Sequence, residues 1–245
     1  MQYRGSDFYD RDENFSRYME RRQAEENAND TLEKPVFQEL LGSVAGLRIL
    51  DVGCGDARYG RELLERGCAA YLGLEGSGNM VLAAQKSLEG ANGNVVQAWM
   101  EKWDYPHEAF DRVISRLAIH YVEDLDRLLE NFYQALKTDG KLVFSVEHPV
   151  ITSTLQPSGT RTSWVVDHYF TEGYREQQWL GGTVYKYHRS IETYFLALQK
   201  AGFVVEHVRE SKPIRTNFSQ EETYQRRLRI PLFLFFSAKK RREKD

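Results

Sequence analysis

The chain has 245 residues, 41% of them hydrophobic and 28% charged, which suits one large α/β domain with a sizeable core and excludes a disordered polyelectrolyte. Lys and Arg number 33 against 36 Asp and Glu, and a net charge of −3 argues against a protein whose main task is gripping phosphate backbones. No apolar run reaches ~18 residues and the only cysteines are Cys54 and Cys68, which excludes a membrane-spanning helix, a disulfide framework and a Cys-rich zinc site; a reducing cytoplasm is the expected setting.

In chain order, residues 1–12 are polar, with no apolar core of a secretory signal. Residues 1–46 read as an N-terminal arm, helical from Phe15 onward, in which residues 19–26 form a solvated face. Short apolar runs then alternate with helical periods, the pattern of a parallel sheet covered by helices. Residues 47–52 read as a first strand, broken by Gly53-Cys54-Gly55, and a helix follows to about Gly67. Residues 70–75 read as a second strand, with Ser77 as N-cap of the next helix. Residues 94–98 and 110–115 are the third and fourth strands. Leu125, Leu128, Leu129, Phe132, Tyr133 and Leu136 then fall on one helical face. Asp139-Gly140 is the expected turn into a fifth strand, 141–146.

From His148 to about Arg189 the rhythm fails: the stretch holds Pro149, Pro157 and seven aromatic residues. Helical spacing returns at Ile191, Tyr194, Phe195 and Leu198, with Gly202 placed as a C′ glycine. Residues 203–208 and 230–238 read as two final strands, joined by a charged segment, 210–229. The expected organisation is a single domain: arm 1–46, cofactor-binding half 47–148, lid or substrate insertion 149–190, and C-terminal half of the sheet 191–245. The fold class is therefore α/β, Rossmann-like, with a seven-stranded mostly parallel sheet and helices on both faces.

Ligands of an open parallel sheet bind outside the carboxyl ends of its strands. The residues there are 51–56, Glu75, Trp99 to Glu101, Ser115-Arg116 and Glu147-His148. Gly53-x-Gly55 lets the backbone turn sharply and approach a ligand. Glu75, 20 residues after Gly55, offers a carboxylate to the two hydroxyls of a ribose. Together they point to a nucleoside-containing cofactor. The dinucleotide pattern G-x-G-x-x-G is broken by Arg58, and Asp51 and Asp56 put negative charge where a diphosphate would lie. That arrangement repels NAD and suits a sulfonium carrying an ammonium group.

Ile49-Leu-Asp-Val-Gly-Cys-Gly-Asp56, Leu74-Glu-Gly-Ser-Gly-Asn-Met80, Phe110-Asp-Arg-Val-Ile-Ser115 with Leu117-Ala-Ile-His-Tyr-Val122, and Leu136-Lys-Thr-Asp-Gly-Lys-Leu-Val143 occur in this order. They resemble the motifs of class I S-adenosylmethionine-dependent methyltransferases over roughly residues 40–148. Within that class the chain is most similar to the small-molecule branch that includes ubiquinone/menaquinone-biosynthesis-like enzymes. The resemblance implies an antiparallel last strand. It also implies S-adenosyl-L-methionine as cofactor, with S-adenosyl-L-homocysteine as product. Gly53, Cys54 and Gly55 would then pack on the methionine part, Asp51 would orient its ammonium, and Glu75 would hold the ribose. Gly76 and Met80 would line the adenine slot. Trp99 stands where this class carries an Asp, so the adenine would stack on Trp99 or lean on Met100 and Glu101. Arg116 would lie at the methionine end. Apart from the resemblance, Tyr9, Tyr18 and Arg21 of the arm are candidates to close over the cofactor.

Transfer from a sulfonium is an in-line displacement that needs positioning first and a base only when the nucleophile must lose a proton. Ser115-Arg-Leu-Ala118 lacks the Asn/Asp-Pro-Pro-Tyr/Phe of amino-group methylases acting on bases or glutamine. His148 is the candidate catalytic base or orienting group, with a backbone-capping histidine as the alternative. His120 reads as structural. Tyr185, His188 and Trp164 are candidate substrate contacts from the insertion. His148, His168 and His188, 20 residues apart in turn, do not have metal-ligand spacing.

The expected partner is a small-molecule substrate, with no nucleic acid, metal or membrane. A carrier-bound substrate docking on Arg226-Arg227-x-Arg229 is a weaker option. The basic run 239–242 reads as a solvated tail. A nicotinamide-dependent oxidoreductase and a non-catalytic cofactor-binding module are the functional alternatives.

Overall fold

The computed structural model describes residues 5–23, 26–155 and 163–241. Pro157 and the terminal residues Arg242, Glu243 and Asp245 lie outside them. The arm begins earlier than Phe15: α1 (Gly5–Tyr9) precedes α2 (Asp12–Gln23), whose first turn carries Asp12 and Glu13. Acidic side chains there complement the positive helix N-terminus, a signal that apolar spacing does not carry. A π-helical turn (Asn29–Glu33) leads into α3 (Lys34–Leu41).

The strands β1 (Arg48–Val52), β2 (Ala70–Glu75), β3 (Gly93–Gln97), β4 (Phe110–Arg116) and β5 (Leu136–Glu147) are parallel to one another. β8 (Phe203–Glu210) and β9 (Phe233–Lys240) complete a sheet of order β3-β2-β1-β4-β5-β9-β8, in which β9 is antiparallel to both neighbours. Side chains along each strand alternate between two cores. On one face Leu50, Val52, Val113 and Phe144 pack with α6 (Leu125–Ala135) and α8 (Ile191–Lys200). On the other face Ile49, Ile114, Val143 and Phe235 pack with α3, α4 (Arg58–Glu65) and α5 (Gly78–Leu88). The seven-stranded, mostly parallel architecture expected from the sequence is the one observed.

Local signals held where the chemistry is short-range. Ser77 caps α5 by accepting the Met80 N–H, and Gly202 takes φ +94° after α8. Two boundaries differ. α6 stops at Ala135, and Leu136 already belongs to β5, pairing with Phe110. Asp139-Gly140 is thus not a helix-to-strand turn; it lies inside β5, where the register with β4 shifts and Asp139 takes φ +63°. A second correction concerns the basic run: Lys239 and Lys240 belong to β9, and the buried Lys240 Nζ donates to the Leu136 carbonyl at 2.7 Å.

The stretch after β5 holds a short helix α7 (Pro149–Thr152) and a separate antiparallel hairpin, β6 (Gly173–Trp179) and β7 (Gly182–His188). The hairpin escaped the sequence reading because Leu180-Gly181 turns it with both residues at positive φ, 50° and 80°, and leucine is rarely used there. Arg17 of α2 donates to the Leu180 carbonyl at 3.0 Å, and the Arg21 guanidinium lies 4.4 Å from the centre of the Trp179 ring. Arm and hairpin are therefore clasped together. Between β8 and β9 in the chain, α9 (Glu221–Arg227) leaves Arg226 and Arg227 half-buried, while Arg229 just beyond it is exposed.

Candidate functional site

The order β3-β2-β1-β4-β5 reverses direction between β1 and β4, and such a switch opens a crevice at the carboxyl ends of the strands. A cavity of about 530 Å³ lies there, walled by strand ends, the arm and the hairpin. Tyr18, Arg21, Asp51, Gly53, Cys54, Gly55, Glu75, Gly76, Met80, Trp99, Met100, Glu101 and Arg116 all line it.

Gly53 and Gly55 have φ of +76° and +57°. A Cβ on Gly53 would overlap the Cβ of Ala118, whereas a Cβ on Gly55 would enter open space. The first glycine thus permits packing and the second leaves room above the turn. The Cys54 thiol packs against Gly73 of β2, and burial pushes its pKa up. Asp51 is 2% exposed; its Oδ2 accepts the Tyr71 hydroxyl at 2.8 Å and its Oδ1 has no partner. Burial, opposed by Tyr71 and the Arg116 charge, raises its pKa to about 7. Glu75 Oε2 accepts the Gly55 N–H and its Oε1 accepts the Ser77 N–H, both at 2.9 Å. Burial raises the Glu75 pKa against those hydrogen bonds. Trp99 is 39% exposed at the rim.

These residues fit an adenosyl sulfonium with an amino-acid tail. The unpartnered Asp51 oxygen calls for a buried cationic donor, and an ammonium supplies one. A glycine turn with open space above it and a carboxylate at the neighbouring strand end suit a ribose. Arg116 lines the cavity, but its guanidinium is turned onto the fully buried Glu33, with Nε at 3.0 Å from Oε2, and sits 4.3 Å from the Tyr59 ring centre. Ser145 Oγ donates to the same carboxylate at 2.7 Å. Arg116 therefore anchors the end of the arm to the sheet.

The candidates from the insertion are placed differently. His148 does not line the cavity. It is 3% exposed, its Nδ1 accepts the Val150 N–H at 3.2 Å, and its Nε2–H donates to Glu210 at 2.9 Å. This is the capping alternative: the geometry gives His148 no contact with the cavity and no base role there. His188 is fully buried beside α7, accepting the Thr152 hydroxyl at 2.7 Å and donating to the Tyr169 carbonyl at 2.9 Å. Tyr185 stacks on Tyr174 with centroids 5.2 Å apart, on the outer face of the hairpin. Strand alternation is the reason, since in β7 Val184, Lys186 and His188 face inward and Tyr185 cannot. Neither residue reaches the cavity. Trp164 does line it, with its indole N–H donated to the Val150 carbonyl at 2.7 Å.

Of the insertion aromatics that could enclose a substrate, Trp179 lines the cavity with Trp164, while Lys186, Gln177 and Glu33 were missed as cavity residues and His120 was taken as structural. Lys186 is 2% exposed, and its Nζ donates to Glu147 Oε1 at 2.6 Å and to Gln177 Oε1 at 2.7 Å. Its signal was the period-two burial of 182–188, which becomes readable only once the hairpin is recognised. Among the described residues no group of three or more His, Cys, Asp or Glu is arranged to hold a metal ion, and no helix is long and apolar enough to cross a membrane.

A family model described as a methyltransferase domain, Methyltransf_11, matches residues 50–144. An S-adenosylmethionine-dependent methyltransferase from Mesorhizobium loti superposes with a TM-score of 0.79 at 35% identity, over 84% of this chain and 97% of that one. An uncharacterized protein of Haemophilus influenzae is 31% identical over 217 residues, 82% of this chain and 85% of its own. Phosphoethanolamine N-methyltransferase 3 of Arabidopsis thaliana is 31% identical over 111 residues, 44% of this chain but 23% of its own. Phosphoethanolamine N-methyltransferase 2 of Haemonchus contortus, solved with S-adenosyl-L-methionine, shares the fold at a TM-score of 0.69 and 18% identity, covering 98% of this chain and 61% of that one.

Proposed function

The chain belongs to the S-adenosylmethionine-dependent methyltransferases, and we propose that its acceptor is a small molecule enclosed between the strand ends, the arm and the hairpin. The cofactor supplies a methyl group on a sulfonium, which is already an activated leaving group. The task left to the protein is to hold the acceptor in line with that methyl and to exclude water. The observation that carries the reading is that one cavity, of about 530 Å³, contains both the glycine turn and the insertion residues Trp164, Trp179 and Lys186. A volume of this order suits a small ligand.

In this reading Asp51 holds the cofactor ammonium and Glu75 the ribose hydroxyls, with Gly53, Cys54 and Gly55 against the methionine part. Gly76, Met80, Trp99, Met100 and Glu101 border the adenine. Tyr18 and Arg21 belong to the closing arm, and the segment 149–190 acts as the lid. Relatives whose names state an acceptor include phosphoethanolamine N-methyltransferases, which supports a small acceptor without placing the chain in a quinone-biosynthesis branch. A cytoplasmic setting belongs to the same reading, with Cys54 and Cys68 as free thiols. The NAD alternative loses its ground to the family match.

Two measurements test it. Calorimetric titration should show S-adenosyl-L-homocysteine bound at one site per chain. Methyl-labelled cofactor should then transfer its label to a small molecule in a metabolite pool. Label appearing only on protein or nucleic acid would overturn the small-acceptor reading.

A further inference from the structure

Beyond Gly53 the cavity ends in a second constellation. Ala118, which abuts Gly53, leads into the 3-10 turn Ile119–Tyr121 that carries His120. Glu147 ends β5 next to β4, and Lys186 comes from β7. Lys186 occupies one oxygen of Glu147, as described above. The other oxygen, Oε2, is buried with no partner, and so is Nδ1 of the 2%-exposed His120. Both residues line the cavity. Buried polar atoms are nearly always hydrogen-bonded, and leaving one unmatched costs about 1–3 kcal/mol. Two such atoms at the wall of one cavity mark a place where a ligand completes the bonding.

We propose that Glu147 and His120 form the acceptor subsite, and that the acceptor attacks through an atom still bearing hydrogen: a hydroxyl, or a primary or secondary amine. This rests on the small-acceptor reading and names its chemistry. An ionised carboxylate only accepts hydrogen bonds, so Glu147 Oε2 selects an O–H or N–H. Burial works against its charge, but the Lys186 charge, the electrostatic interaction with His120 and the Lys186 hydrogen bond outweigh it and hold the Glu147 pKa below the ordinary value. Burial pushes the His120 pKa down to about 3, opposed by Glu147 and reinforced by Lys186, so the imidazole is neutral and its Nδ1 serves as a hydrogen-bond partner rather than a cation. Lys186 is a positioning residue. Its ammonium is 5.7 Å from the Trp179 ring centre and 5.9 Å from that of Tyr121, which fixes Glu147 from behind.

The step balances. The acceptor lone pair forms the new bond to the methyl carbon, and the sulfur–carbon pair returns to sulfur. The acceptor proton passes to Glu147 Oε2 and then to solvent. A thioether or a tertiary amine offers no hydrogen to this oxygen, and the C–H of a carbon nucleophile and the S–H of a thiol donate only weakly, so all four are disfavoured.

The test uses the full chain as wild type, Glu147→Gln and His120→Asn. Calorimetry with S-adenosyl-L-homocysteine comes first; absence of binding by the wild type removes the cofactor assignment itself. With binding established, label transfer to the small-molecule fraction of a bacterial lysate is measured and the product identified by mass. Expected are unchanged S-adenosyl-L-homocysteine affinity in both variants, a turnover about a hundredfold lower in Glu147→Gln, and a methyl on oxygen or nitrogen. Wild-type turnover in Glu147→Gln, or a methyl on carbon or sulfur, overturns the inference. A measurement that needs no known acceptor runs beside it. In the S-adenosyl-L-homocysteine complex, phenol should shift the Glu147 carboxyl and His120 imidazole resonances and anisole should not. Equal shifts from both, or none from either, count against the subsite.

Discussion

Asp51 is held partly protonated near neutrality because its carboxylate is buried among β-strand side chains with one oxygen unmatched. The folded state keeps that proton from the ordinary carboxylate range up to about pH 7, so this group's contribution to the stability of the ligand-free protein falls as pH rises through that window. Ligand binding reverses the preference, since an ammonium needs the ionised form. Affinity for S-adenosyl-L-homocysteine should therefore drop about tenfold per pH unit below 7 and level off above it, and Asp51→Asn should flatten the profile. Calorimetry across pH checks this, and a wild-type profile that is already flat would count against Asp51. Glu75→Ala should weaken binding by roughly 1.5–3 kcal/mol per charged hydrogen bond lost. Because Glu75 also pins the Gly55 and Ser77 N–H groups, Glu75→Gln, which keeps one acceptor oxygen, should lose less. At this scale the Gly-x-Gly turn and Glu75 were legible because their chemistry lies within one β-α-β unit. Glu147 was legible only as a strand-end residue, and its pairing with Lys186 and the place of His120 beside it were not, since Lys186 stands 39 residues from Glu147 and only packing brings them together.

Among the elements, the β1–α4 turn separates stability from binding. Gly53→Ala combines positive φ with overlap on Ala118 and should destabilise the fold by about 1–3 kcal/mol, read as a lower urea midpoint. Gly55→Ala meets no atom, so its stability cost should be confined to backbone strain of about 1–2 kcal/mol, while its Cβ, projecting into the cavity, lowers cofactor affinity more. If Gly55→Ala binds S-adenosyl-L-homocysteine normally, the ligand does not approach this turn. Helix α6 and the strands of the parallel sheet were readable from periodicity, because each buries one face or both against the same core. The β6–β7 hairpin was hidden behind a Leu180-Gly181 turn that carries no usual turn signature and is secured instead by Arg17. Its inward face set which residues of 173–188 meet the cavity, and so displaced Tyr185 and His188 in favour of Trp179 and Lys186.

For the molecule as a whole, the arm is joined to the sheet through a buried ion pair. Glu33 is fully buried against Arg116 and Ser145, and removing one member strands the other's charge. Glu33→Ala should cost about 3–5 kcal/mol in chemical denaturation, whereas Glu33→Leu combined with Arg116→Met should recover much of it. A small loss in the single variant would show that water reaches Arg116 freely. The amino-acid sequence by itself determined the doubly covered parallel sheet and the glycine–carboxylate cradle at the ends of β1 and β2, while the antiparallel last strand was implied by the family resemblance. Hydrophobic period and turn chemistry act over a few residues and are written locally. Tertiary structure alone decided which polar groups are matched and which are left open. His148 and Glu147 are neighbours in the chain, yet the first is saturated by Val150 and Glu210 while the second, which lines the cavity, keeps one buried oxygen unmatched. That difference depends on partners drawn from distant segments, and burial is what gives it energetic weight.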